Sequence, residues 1–213
     1  MPLSVTDTYT QTGKTVAYTV MDLKSVNYNL SNIDSSNRAF KKHLGQRWSF
    51  SLETPPLLRS EAFEIYRILQ RKNRLTGTIA EDFVPPVLGT KSGTASGTVT
   101  VQLVSSTNPT YDFTKGTKTI PVNGTATGTL KKGDFIKFSD HSKVYQLTSD
   151  TNLDGSSVDT ISIFPGLQQT LTSGATVTYN NVPFQVTNLN DNLEIEMDID
   201  GYFKYKLDLI ENI

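Results

Sequence analysis

Residues 192–213 read NLEIEMDIDGYFKYKLDLIENI, and apolar and charged side chains alternate along almost the whole stretch. A period of two is the signature of a strand with one buried face. Leu193, Ile195, Met197 and Ile199 face one way, and Glu194, Glu196, Asp198 and Asp200 the other. Beyond Gly201 the apolar face resumes with Phe203, Tyr205, Leu207 and Leu209, opposite Lys204, Lys206 and Asp208. Cross-strand partners share a face, so parity selects the turn. A two-residue loop at Asp200-Gly201 would set Met197 against Lys204. A three-residue loop, Ile199-Asp200-Gly201, sets Met197 against Phe203 and Ile195 against Tyr205, with Gly201 where a left-handed residue is wanted. Glu196 then faces Lys204 and Glu194 faces Lys206. Exposed pairs of this kind are worth roughly 0.2–1 kcal/mol each, so they fix register more than stability.

The same parity test predicts a second hairpin in KKGDFIKFSDHSKVYQLT, residues 131–148. A four-residue loop, Ser139 to Ser142, sets Ile136 opposite Tyr145 on the buried face and Phe138 opposite Lys143. Gly133 permits the tight entry. From Val99 to Tyr179, short strands are separated by Asn-Gly, Lys-Gly-Asp, Asp-Gly and Pro-Gly turns. Five or six strands of this size suggest a small barrel or sandwich. Before them, LGTKSGTASGTVTV lacks bulk and reads as a connection or a loosely packed first strand.

Nearer the N-terminus, TVAYTVMDLKSVNYNL is rich in β-branched and aromatic residues, and Trp48, Phe50 and Leu52 alternate with Arg47, Ser49 and Ser51. One segment has helical period: in SEAFEIYRILQRKNRLTG, Ala62, Ile65 and Leu69 share a face. Ser60 is placed to cap it, Gly77 to stop it, and Pro55-Pro56 force an extended entry. The helix is expected to lie across a sheet.

The chain of 213 residues falls between one domain and two. It has 20 basic and 21 acidic residues, so no strong field draws in nucleic acid or an anionic membrane. It has no cysteine, which removes disulfide scaffolds, Cys-ligated zinc and thiol catalysis. No apolar run approaches the roughly 20 residues of a membrane span, and MPLSVTDTYTQTGK lacks the pattern of a secretory signal, so synthesis and folding in a cytoplasm are expected.

Little here carries chemistry. Asp150, Asn152, Asp154 and Gly155 match the first half of a calcium loop, but Ile161 stands where a bidentate Glu belongs; a hairpin turn explains the same letters. The acidic row Glu194–Asp200 could line a metal or saccharide site, or form a solvated strand face offset by lysines. His43 and His141 lie among polar or basic neighbours with no Cys or convergent carboxylates near them, and His141 reads as a turn residue. No catalytic residue, metal or cofactor is expected. Aromatics on the barrel hairpins (Phe135, Tyr145, Phe164 and Tyr179) would suit an oligonucleotide or sugar platform, and the near-zero charge weighs against the first.

Three stretches carry a resemblance. HLGQRWSFSLETPPLLRSEAFEIYRIL, a strand with a central Trp followed by a Pro break and one helix, resembles the distal tail proteins of long-tailed bacteriophages. LKKGDFIKFSDHSKVYQLT resembles the domain inserted in that family, and VPFQV with the final hairpin continues the likeness over nearly the whole chain. The resemblance implies a mainly β fold. Residues 1–88 and 183–213 would form a discontinuous ring-forming β-sandwich with one α-helix, and 95–182 an inserted OB-like barrel. It also implies a structural, non-enzymatic virion protein at the tail tip, made in the host cytoplasm. The expected partners are five further copies in a ring, the tail tube protein, the tail-tip hub protein and receptor-binding proteins. Neither membrane nor specific nucleic-acid binding is implied. The strand at Arg47 and Ser49 and the hairpin residues Glu194, Glu196, Lys204 and Lys206 are the expected inter-subunit contacts. Two other readings remain: a host-surface carbohydrate-binding barrel using Tyr145 and Phe164, and an OB-type single-strand nucleic-acid binder.

Overall fold

The computed structural model describes residues 3–6, 13–16, 18, 20–33, 39–63, 81–85, 88–102, 113–189 and 195–213. The chain divides into two compact units, one built from Met1–Phe83 and Gln185–Asn212, the other from Val84–Phe184. It is mainly β, with a closed six-stranded barrel, further sheets and a short helical segment at residues 59–63.

In the first unit, strands β1 (Leu3–Thr6) and β2 (Gly13–Val16) pair with each other. The main sheet runs β3 (Val20–Ile33), β4 (Ala39–Glu53), β16 (Phe203–Glu211), β14 (Phe184–Asn188), β5 (Glu81–Phe83). Strand β4 is held on both sides: Phe50 pairs with Leu23 of β3 and Leu209 of β16, and Leu52 with Met21 and Leu207. Trp48, Phe50 and Leu52 are buried and Arg47, Ser49 and Ser51 half-buried, as the alternation predicts. Burying a large apolar side chain stabilises by roughly 1.5–3 kcal/mol, so the inward row of β4 and the inward Phe203, Tyr205, Leu207 and Leu209 of β16 form the heart of this unit. Between the strands, Ser51 Oγ donates to Asp208 Oδ1 at 2.7 Å, and the buried Trp48 N–H donates to Glu211 Oε2 at 3.1 Å.

The helix begins at Arg59, and the Ala62 N–H donates to the Leu58 carbonyl at 2.9 Å. Ser60 therefore sits within the first turn instead of capping it. Leu57, forming a bridge with Phe203, extends the chain in strand fashion up to the helix start and sets that point. The Tyr205 hydroxyl donates to the Ala62 carbonyl, and Phe63 meets Phe203 edge-on with centroids 5.4 Å apart, so the described turn packs on β16. The rest of the expected helix, to Gly77, lies outside the described residues.

Strand β15 (Ile195–Met197) pairs with β16 in the register Ile195–Tyr205, Glu196–Lys204, Met197–Phe203. The Asp198 N–H donates to the Tyr202 carbonyl and Gly201 has φ +80°, so the loop is the three-residue one that parity selects. The expected burial of the apolar row fails at its end, however. Met197 is 71% exposed and Ile199 97%.

The second unit is a barrel in the order β10 (Val144–Leu147), β12 (Asp159–Phe164), β7 (Thr119–Gly124), β6 (Val99–Val101), β13 (Thr176–Thr178), β9 (Phe135–Phe138), closed back onto β10. Its interior is filled by Val99, Ile120, Ile136, Phe138, Ile161 and Val177 among others. Tyr145 pairs with Ile136, again the predicted register. Outside the barrel, β8 (Thr127–Leu130) pairs with β11 (Thr151–Asp154).

Residues 88–98 are not loosely packed. Ser92 donates from both its N–H and its hydroxyl to the Asp134 carboxylate, at 2.9 and 2.6 Å. Ala95 N–H donates to Thr129 O, Ser96 bridges Thr127, and Ala95 is fully buried. The small residues are there because backbone meets backbone: a Cβ at Gly93 would lie 2.0 Å from the Thr129 carbonyl oxygen.

Candidate functional site

The second unit buries most of its aromatics. Of the four residues expected to form a platform, Phe135, Tyr145 and Tyr179 are buried, and only Phe164 presents substantial surface, at 42%. Tyr145 is completely buried, so it offers no face to a sugar. The reason is the alternation of β10, which directs Tyr145 to the same side as Ile136.

Its hydroxyl has a different task. His141, buried in the 139–142 turn, lies with Nδ1 2.9 Å from the Tyr145 hydroxyl and Nε2 3.0 Å from the Thr170 carbonyl. A carbonyl only accepts, so Nε2 carries a hydrogen, and in the neutral imidazole Nδ1 then accepts from the Tyr145 hydroxyl. The Tyr145 oxygen in turn accepts from the Gln168 N–H at 3.2 Å, and Asp140 Oδ2 accepts from the Thr172 N–H at 2.9 Å. The hairpin of residues 131–148 therefore fastens the 166–172 loop through three side chains. Sequence reasoning placed His141 in the turn and missed its burial; the signal was the aromatic pair Phe138 and Tyr145, whose rings flank it.

The calcium-like letters are spent on turns. Asp154 accepts from Ser156 N–H at 2.9 Å, Ser157 N–H at 2.7 Å and the Ser157 hydroxyl at 2.6 Å. These bonds, the Ser157 hydroxyl first, hold its carboxyl well below the usual carboxylate range. Asp150 faces Lys131 at 2.8 Å and accepts from the Lys132 N–H, which lowers its pKa in the same sense. Asn152 Oδ1 accepts from the Thr129 hydroxyl. Among the described residues no three His, Cys, Asp or Glu side chains gather as a metal site.

The expected inter-subunit residues are dispersed. Glu196, Lys204 and Lys206 are exposed on the final hairpin, whereas Ser49 is half-buried and its hydroxyl is used within the sheet, donating to the Leu209 carbonyl at 3.1 Å. Arg47 is half-buried, and Glu194 lies outside the described residues. More surface is apolar than the sequence suggests: Met197, Ile199 and Tyr202 at the hairpin tip and Leu58 and Phe63 at the helix start are all exposed. Phe203 ties the two groups together, pairing with Met197, bridging Leu57 and touching Phe63. Alternation hid this surface, because it ranks residues by face and cannot tell where a sheet ends.

Residues 98–182, which include all six barrel strands, match the family model for the distal tail protein pb9, B domain. Over 147 residues the chain is 29% identical to the distal tail protein pb9 of Escherichia phage T5, a stretch covering 68% of this chain and 66% of that protein, just under two thirds of its length. With a B-domain barrel carrying the first match and the second extending well beyond it, the chain is similar to phage distal tail proteins over the barrel and outside it.

Proposed function

We infer that this chain is a ring-forming subunit at the tip of a phage tail, joining the tail tube to the tip hub and acting as scaffold instead of catalyst. The match to the distal tail protein pb9 carries this reading. It is supported by the exposed apolar side chains Leu58, Phe63, Met197, Ile199 and Tyr202 near Phe203, because clustered apolar surface marks a protein-binding site. Cyclic symmetry repeats such a contact at every subunit boundary. In this reading six copies meet through the hairpin of β15 and β16, which offers Met197 and Ile199 on one face and Glu196, Lys204 and Lys206 on the other. The tube protein and the tip hub, with its receptor-binding proteins, occupy the two faces of the ring.

Native mass spectrometry and negative-stain microscopy of the purified chain test it. The expected result is an annulus with a mass that is a multiple of 23.5 kDa. A strict monomer at all concentrations, with and without the tail tube protein, overturns it. An Ile199→Asp chain that still closes into rings would move the contact away from the hairpin tip.

A further inference from the structure

The sequence contains three Asx-Gly dipeptides: Asn123-Gly124, Asp154-Gly155 and Asp200-Gly201. In such a pair the glycine nitrogen, after losing its proton, can attack the preceding side-chain carbonyl carbon. The ring closes to a succinimide as water leaves an Asp, or ammonia an Asn. Water then opens the ring at either carbonyl, restoring Asp or routing the main chain through the side chain as isoaspartate. Glycine favours the step because it has no Cβ to obstruct the ring. By sequence the Asn-Gly pair is the best leaving-group case. The fold inverts that order.

We propose that Asp200-Gly201 is the site of spontaneous main-chain isomerisation in the folded protein, and that tertiary structure shields the other two pairs. Asn123 lies in β7 with its Oδ1 accepting from the Thr100 hydroxyl at 2.8 Å, and Gly124 pairs with Val99 in the barrel ladder. Space there is closed as well, since a Cβ at Gly124 would sit 2.1 Å from the Thr98 carbonyl oxygen. The Asp154 carboxylate must leave the Ser156 N–H and both Ser157 donors before it can turn back to Gly155. Gly155 in addition faces the Thr127 methyl.

Asp200 has none of this protection. It is exposed at the tip of the β15–β16 hairpin, and among the described residues no hydrogen bond engages its carboxylate. Apart from the adjoining residues, no atom lies within 4 Å of where a Gly201 Cβ would stand. Freeing the attacking nitrogen breaks one bond, from the Gly201 N–H to the Asp198 carbonyl at 2.9 Å, in contact with solvent. Isoaspartate at 200 would add a main-chain atom to the three-residue loop that holds Met197 against Phe203. The hairpin tip is thus a place where the protein can age chemically with no change in mass. This inference stands on the loop geometry and does not require the ring.

The test is prolonged incubation of the purified full-length chain at neutral pH and 37 °C, with peptide mapping and an isoaspartate methyltransferase assay, beside the same chain in denaturant. The folded chain is expected to accumulate isoaspartate at 200 and to lose the signal in Asp200→Glu, whose longer side chain cannot close the five-membered ring. In denaturant, deamidation at Asn123 should overtake it. Isoaspartate appearing first at 154, deamidation at 123 in the folded chain, or an unmodified 200 after Asn123 has reacted in denaturant would each overturn the proposal.

Discussion

Tyr145→Phe removes one oxygen from the barrel and leaves its shape intact. Two hydrogen bonds go with it: the one given to His141 Nδ1 at 2.9 Å and the one accepted from the Gln168 N–H at 3.2 Å. A buried polar group left without a partner costs about 1–3 kcal/mol. Nδ1 of the buried His141 incurs the larger share, while Gln168 is half-buried and water can replace part of its bond. The expected loss is about 2 kcal/mol, or roughly 30-fold in the equilibrium constant for opening the barrel. In a unit of about a hundred residues this lowers the barrel's transition by roughly 8–16 °C. Calorimetry of the full-length chain reads the transition, and amide exchange at Gln168 reads the broken bond directly. A change below about 0.5 kcal/mol is the size of an ordinary surface substitution. That result, with Gln168 protection unchanged, would refute the hydroxyl as the link between the 131–148 hairpin and the 166–172 loop. The same variant bears on carbohydrate recognition: a buried Tyr145 predicts no loss of any glycan binding beyond what destabilisation explains.

Trp48→Ala should cost about 3–5 kcal/mol, measured as a drop in denaturation midpoint, because the residue is only 4% exposed on an interior strand of its sheet. Gly93→Ala should destabilise the barrel by about 1–3 kcal/mol through overpacking, since the new methyl collides with the Thr129 carbonyl, which is backbone; a neutral result would mean that residues 88–98 can lift away. Asp154 makes a pH prediction. Its folded pKa lies below the unfolded one, so its contribution is complete above the ordinary carboxylate range of about 4 and is lost as pH falls towards the lower folded value. Asp154→Asn should therefore flatten the acid arm of a stability-versus-pH curve and leave its neutral region with the same slope; an unchanged acid arm would contradict the Ser156 and Ser157 bonds.

Local order was legible wherever parity and turn chemistry act over a few residues. The registers of both hairpins follow from which side chains alternate and from loop length alone: Met197 against Phe203, and Ile136 against Tyr145. The buried row Trp48, Phe50 and Leu52 follows in the same way. These features rest on the pleat, a property of the backbone that every strand shares. The family resemblance, too, was carried by short stretches of the chain.

Long-range packing supplied the rest. Alternation put Met197 and Ile199 on an apolar face, but burial needs a neighbour, and the hairpin runs past the sheet that would cover them. Tyr145 carries a polar tip that suits either a wet surface or a buried partner; His141 and Gln168, brought in by the turn and by a loop more than twenty residues away, made it interior. The Gly, Ser and Thr of residues 88–98 look like slack in one dimension and are the condition for two backbones to touch in three. A sequence thus determines strand period and register by itself, because those depend on neighbours along the chain. Which face is dry, which dipeptide is open to attack and which hydroxyl is satisfied depend on distant segments, whose positions only the folded structure specifies.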